Sequence, residues 1–168
     1  ASYFFTNVIW ACMVPLSFVV INYWSYKKGI IDIMERESTQ QDGLGTVYYA
    51  ISLFVLSIFS FGILKRPEIG LVGVLTMGYG DGLAAVMGQT IKSKEYQIGS
   101  SKKTVVGSAT MFVVTAIIVS IFLMHTPFWY IKACVVSLLI TMVEAISIKG
   151  TDNLTVPILT SALLAILI

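Results

Sequence analysis

Charge is what this sequence has least of. Only 12% of its 168 residues are Asp, Glu, Lys or Arg, and it has one histidine. Soluble domains carry about 25% charged residues. At 57% hydrophobic residues and a mean hydropathy of +0.86, a soluble chain of this length could not bury its apolar surface in its own core. A bilayer can take that surface. The net charge of +2 leaves no basic footprint for nucleic acid. Cys12 and Cys134, the two cysteines, sit inside apolar runs without CxxC or Cys/His metal spacing, and read as small hydrophobes. With His125 alone in a turn, no Ser/His/Asp arrangement can be built. A P-loop pattern is also missing. Period-2 alternation is absent, which excludes a β-barrel reading. There is no initiator Met and no cleavable-signal pattern, so the expectation is a trimmed start with a segment ahead of residue 1.

What is present is a series of apolar runs. A spanning helix needs about 20 such residues. Five runs qualify: Tyr3 to Tyr26, Gly45 to Leu64, Glu68 to Thr90, Thr104 to Met124 and Phe128 to Ile148. A shorter one covers Leu154 to Ile168. The expected fold is all-α, a polytopic transmembrane bundle of about six helices in one domain, with room for one more helix before residue 1. Lys65-Arg66-Pro67 and His125-Thr126-Pro127 are tight turns with Pro just ahead of a helix. Trp10, Trp24 and Trp129, with nearby tyrosines, suit interfacial belts.

If the helices alternate, Lys27, Lys28, Arg36, Lys92, Lys94, Lys102, Lys103 and Lys149 share one side. Lys65, Arg66 and Lys132 share the other. The first side is expected to be cytoplasmic by the positive-inside rule.

Three polar blocks fall towards that side. Asp81 lies in an apolar helix among Gly78, Gly80 and Gly82, with Gly88 following. A carboxylate in a membrane helix costs several kcal/mol without a partner. The glycines allow close approach of a backbone or ligand, and Gly78 with Gly82 is also a GxxxG packing pair. Ser100-Ser101-Lys102-Lys103-Thr104, followed by Gly107 and Ser108, precedes a helix start. There, free N–H groups and the positive dipole end suit a phosphate, and the lysines alternatively serve as membrane anchors. Glu144 is a second carboxylate, near the expected cytoplasmic end of the fifth run. Asp152-Asn153 opens the last helix, where either is an ordinary N-cap. Carboxylates hold hard cations, and lysines with helix N-termini hold phosphates. Together they equip a membrane face for a nucleotide–magnesium complex. Ion or proton transport through the same carboxylates remains open at this point.

These blocks, Gly80-Asp81-Gly82 with Ala84-Ala85 and Gly88, Lys102-Lys103-Thr104 with Gly107-Ser108, and Val143-Glu144 with Asp152-Asn153-Leu154-Thr155-Val156-Pro157, resemble in order and spacing the CTP-dependent polyprenol kinase family. That family spans dolichol, phytol and farnesol kinases and fungal diacylglycerol kinases. Its bacterial members are often labelled phosphatidate cytidylyltransferases. The Asp-Asn-Leu-Thr-Val-Pro run is most similar to the phytol kinase branch, and the resemblance extends from about Asn22 to the end, with Tyr48-Tyr49 as weaker support. It implies phosphoryl transfer from CTP, with Mg2+, to the hydroxyl of a membrane isoprenoid alcohol or diacylglycerol. By position, Asp81, Glu144 and Asp152 are the implied catalytic and metal residues. Gly80, Gly82, Lys102, Lys103, Thr104 and Asn153 are the implied nucleotide contacts. Many members carry an Arg-Lys-x-x-His motif in an early helix. It is absent here, in keeping with a missing N-terminal segment. The rival readings are a cytidylyltransferase acting on phosphatidate and a transporter. Implied partners are CTP, a lipid alcohol and the bilayer, and association with further copies of the chain is left open.

Overall fold

The computed structural model describes residues 8–28, 44–98, 101–148 and 150–168. Arg36, Lys149, Ser100, the stretch from Tyr3 to the first helix and most of the Lys27–Leu44 connection lie outside them. Among the described residues six helices follow one another: α1 (Val8–Lys27), α2 (Gly45–Ile63), α3 (Pro67–Thr90), α4 (Val105–Leu123), α5 (Trp129–Ile146) and α6 (Asp152–Leu167). The first five are long and apolar enough to cross a membrane, and α6 is a shorter apolar helix. The chain is an integral membrane protein, as its apolar runs require.

Local chemistry explains the boundaries. Pro67 occupies the first turn of α3, where its missing N–H is no loss, and Glu68 beside it faces the positive dipole end. Thr104 caps α4, its Oγ1 accepting from Gly107 N at 3.0 Å. After α5 the chain turns at Gly150, whose φ of +74° suits glycine. The turn also presses against α2, since a Cβ on Gly150 would lie 2.9 Å from Gly45 Cα.

Two helices are not α-helical throughout. α2 ends in a π-helical stretch, Ile58–Ile63, and α3 passes through another, Thr76–Asp81. The wider turn is a feature that often marks functional sites. Its glycines also divide labour differently from the GxxxG reading. A Cβ on Gly78 or Gly82 would meet no heavy atom within 4 Å, whereas one on Gly80 would lie 2.8 Å from Met111 Sδ. The residue that packs against a neighbouring helix is therefore Gly80.

α3 and α6 pack closely: a Cβ on Gly73 would fall 2.3 Å from the carbonyl oxygen of Pro157. α2 and α5 flank α6, α4 packs on α3 and α5, and α1 leans mainly on α2. The core runs through Val72, Met111, Val119, Ile140, Val156 and Leu164, all fully buried. α1 contributes little to it, with only 6% of its apolar window buried.

The connection between α3 and α4 departs from the loop expected there. Glu95–Ile98 and Ser101–Thr104 form an antiparallel ribbon, β1 and β2, pairing Tyr96 with Lys103 and Gln97 with Lys102. Tyr96 and Ser108 join hydroxyls at 2.5 Å and tie the ribbon to α4.

Candidate functional site: three carboxylates and a lysine

Helix alternation brings the end of α3, the start of α4, the end of α5 and the start of α6 to one end of the bundle, beneath the ribbon. Asp81 arrives from α3, Glu144 from the last turn of α5 and Asp152 from the first turn of α6. One carboxylate oxygen from each lies within 4.8 Å of the other two. Among the described residues this is the one group of three Asp, Glu, His or Cys side chains so arranged.

Lys103 reaches into this group from β2. Its Nζ donates to Glu144 Oε1 at 2.5 Å, to the Glu144 carbonyl oxygen at 2.5 Å and to Asp152 Oδ2 at 3.3 Å. An ammonium has three donors, so all have acceptors. The carbonyl belongs to the closing turn of α5, where a cation also meets the negative dipole end. Burial works against the charge on Lys103, but Glu144 and Asp152 outweigh it and raise its pKa above the ordinary lysine value. The group stays an ammonium at physiological pH.

The remaining acceptors are unevenly served. Asp152 Oδ1 accepts the Asn153 N–H at 3.0 Å. The cap position of α6 is Thr151, so Asp152 stands in the first turn rather than at the cap, with its other oxygen on the cluster. Glu144 Oε2 is buried without a hydrogen-bond partner. Three carboxylates against one ammonium also leave two negative charges uncompensated within the group. An orphaned buried carboxylate oxygen, beside an acidic surplus of two, fits a divalent hard cation held through oxygen.

The other expected residues are distributed as follows. Lys102 is exposed, because neighbours in a strand point to opposite faces. Thr104 is committed to its cap. The first N–H groups of α4 are also engaged: Val105 N with the Lys94 carbonyl, Val106 N with Ser93 Oγ and Gly107 N with Thr104. They are not presented as an open anion cradle, and Lys103 is the part of that block that reaches the carboxylates. Gly80 faces Met111, as above. Gly82 and Asn153 line a cavity of about 630 Å3 together with Asp81.

That cavity lies between α1, α2, α3 and the start of α6, and its lining is mostly apolar. Sequence reading missed most of it. Asn22, Thr46, Tyr49 and Leu53 all border it, yet only Tyr49 had been singled out. The available signal was Asn22, a polar residue near the expected cytoplasmic end of an apolar run.

Over 147 residues the chain is 35% identical to a phytol kinase of Synechocystis, an alignment covering 84% of this chain and 60% of that protein. That similarity points the same way as the motif blocks, to the phytol kinase branch of the polyprenol kinase family. Plant members named as probable chloroplastic phytol kinases are similar too: 29% identical over 79% of this chain in Triticum aestivum, and 28% over 81% in Oryza sativa subsp. japonica. The chain spans 60%, 47% and 46% of the length of these three curated relatives. No family model and no solved structure matches it.

Proposed function

We propose that this chain is the catalytic membrane domain of a lipid-alcohol kinase that moves the terminal phosphoryl group of CTP to the hydroxyl of a membrane isoprenoid alcohol. The observation that carries the reading is the position of Asp81. It belongs to the acidic group and at the same time borders the apolar cavity. A hydroxyl at the polar end of that cavity would meet a carboxylate, and a phosphate beside the acidic group would meet a lysine. The names of the relatives support a lipid alcohol as acceptor, and the motif resemblance supports CTP as donor.

In the reaction, the lipid oxygen forms a bond to the terminal phosphorus, the bond from that phosphorus to the bridging oxygen of the donor breaks, and CDP departs. The hydroxyl proton passes to a carboxylate. Asp81 is the assigned acceptor, because Glu144 and Asp152 are engaged by Lys103 while Asp81 opens on the cavity. Asp81, Glu144 and Asp152 would hold Mg2+, which would supply neutralisation of phosphate charge. Lys103 holds Glu144 and Asp152 in place, and its fixed positive charge lies beside the position proposed for the phosphate. Positioning and fixed charge do most of the work in such transfers. The excess of basic residues at this end supports a cytoplasmic site.

The test is turnover by purified protein in nanodiscs with CTP, Mg2+ and phytol, farnesol or diacylglycerol. Formation of an isoprenyl monophosphate with release of CDP is expected. Release of pyrophosphate with a CMP-bearing lipid would replace this reading with a cytidylyltransferase. Ion flux in liposomes without nucleotide, and no lipid product, would replace it with a transporter.

A further inference from the structure

The cavity has a direction. α1 and α2 run antiparallel along it, and each contributes residues spread over eight residue steps, from Val14 to Asn22 and from Gly45 to Leu53. At 1.5 Å per residue that is a depth of about 12 Å. Asn22 and Thr46 sit at the end nearest the carboxylates, where α6 adds Asn153 and α3 adds Asp81. Val14, Leu53 and Met77 sit at the opposite end, with no polar side chain among them. Polar groups thus gather at the head and apolar ones at the tail, as an alcohol with a hydrocarbon chain requires.

The glycines of the π-helical turn keep this space open. Gly78 and Gly82 both line it, and a Cβ on either would meet no heavy atom within 4 Å. α1, whose remaining surface is almost wholly exposed, forms one wall.

Resting on the kinase reading above, we infer that this cavity binds the hydroxyl-proximal part of one isoprenoid chain, with its head at Asp81 and Asn153 and its apolar end at Val14, Leu53 and Met77, the rest of the chain passing into the bilayer. The enzyme then reads the first few isoprene units and is indifferent to length beyond them. A lipid whose hydroxyl is flanked by two acyl chains fits this single channel poorly.

Photolabelling tests this without requiring turnover. The probe is an isoprenol of farnesol length with a diazirine on its hydrocarbon end, applied to the protein in nanodiscs without nucleotide. Label is expected on the segments carrying Val14, Leu53 and Met77. Gly78→Leu should reduce it at least tenfold, since the new side chain has open space to enter and no neighbour to displace. Val113→Trp, on the exposed face of α4, should leave it unchanged. Longer unlabelled isoprenols should compete about equally, and diacylglycerol at least tenfold more weakly. Label spread over exposed faces of α4 and α5, label undiminished in Gly78→Leu, or equal competition by diacylglycerol would overturn the inference. The two readings fail separately. Specific labelling with no phosphorylated product from any nucleotide would retain the lipid site and remove the kinase. Turnover of isoprenols by a protein that labels elsewhere would do the reverse.

Discussion

The two ends of the bundle handle charge in opposite ways. At the far end, Arg66 pairs with Glu68 two residues away at 2.9 Å, both about one-third exposed. Lys132 donates to the Leu167 carbonyl at 3.1 Å and to Thr126 at 3.3 Å, a cation beside a helix C-terminus. Each of these charges has a local partner and a structural purpose. At the near end, carboxylates from three helices and a lysine from a ribbon converge on one point. The acids outnumber the base, and a buried oxygen of Glu144 has no partner. Charges that only hold a fold together tend to balance, because an unpaired buried charge is expensive. The near end carries a surplus, and a surplus fits a site whose missing charges arrive with a ligand.

The largest effect should come from Asp81→Asn. It keeps the shape of the side chain and removes the proposed proton acceptor, so lipid phosphorylation should fall by about 10² to 10⁴-fold, the usual scale of general-base catalysis. Thermal unfolding should be unchanged or slightly improved, since one of the crowded negative charges is gone. Full activity would break the contrast between the two ends.

Lys103→Met comes next. It leaves Glu144 and Asp152 facing each other without their shared cation, which should destabilise the protein by about 3–5 kcal/mol, read by unfolding in detergent micelles. The lysine's pKa is raised on folding. Its contribution is therefore complete below the unfolded value of about 10.4, and is lost only as pH rises through the higher folded value. Between pH 6 and 9 the wild-type advantage should not shrink on account of Lys103.

At the far end, Glu68→Gln should cost at most about 1 kcal/mol, because the pair is screened by solvent. A cost equal to that of Lys103→Met would erase the distinction. The smallest effect is expected from Lys102→Ala, which should lower nucleotide affinity far less than Lys103→Ala, in keeping with its exposure on the other face of the ribbon. Equal losses from the two lysines, measured by nucleotide titration, would bring back a shared phosphate role.

That last pair shows where sequence reading stops. The spans were legible because twenty apolar residues have few alternatives to a helix across a bilayer. Asp81 and Glu144 were legible as unusual because a carboxylate in such a run needs an explanation. The separation of Lys102 from Lys103 was not legible. Strands of four residues, polar on both faces, leave no periodic signature, so Glu95 to Thr104 reads as a loop. The π-helical turn before Asp81 is hidden for a related reason, since one wider turn does not disturb the hydrophobic pattern around it. Asp152 offered a choice between cap and chemistry; Thr151 holds the cap position, and Asp152, one residue later in the first turn, reaches the acidic group. The cavity was out of reach because it is built from side chains on four helices, and most of them are apolar and ordinary in their own sequence context.

The most direct test of the acidic surplus uses Mn2+ as a paramagnetic stand-in for Mg2+. Titration of the purified protein in nanodiscs, with CTP present and read by electron paramagnetic resonance, should show one tightly held ion per chain. Affinity should fall at least tenfold in Asp81→Asn and in Glu144→Gln, while Glu68→Gln at the far end leaves it unchanged. Mn2+ binding that survives loss of both near-end carboxylates, or no bound Mn2+ in the wild-type protein with nucleotide, would contradict the assignment of this group as the metal–nucleotide centre.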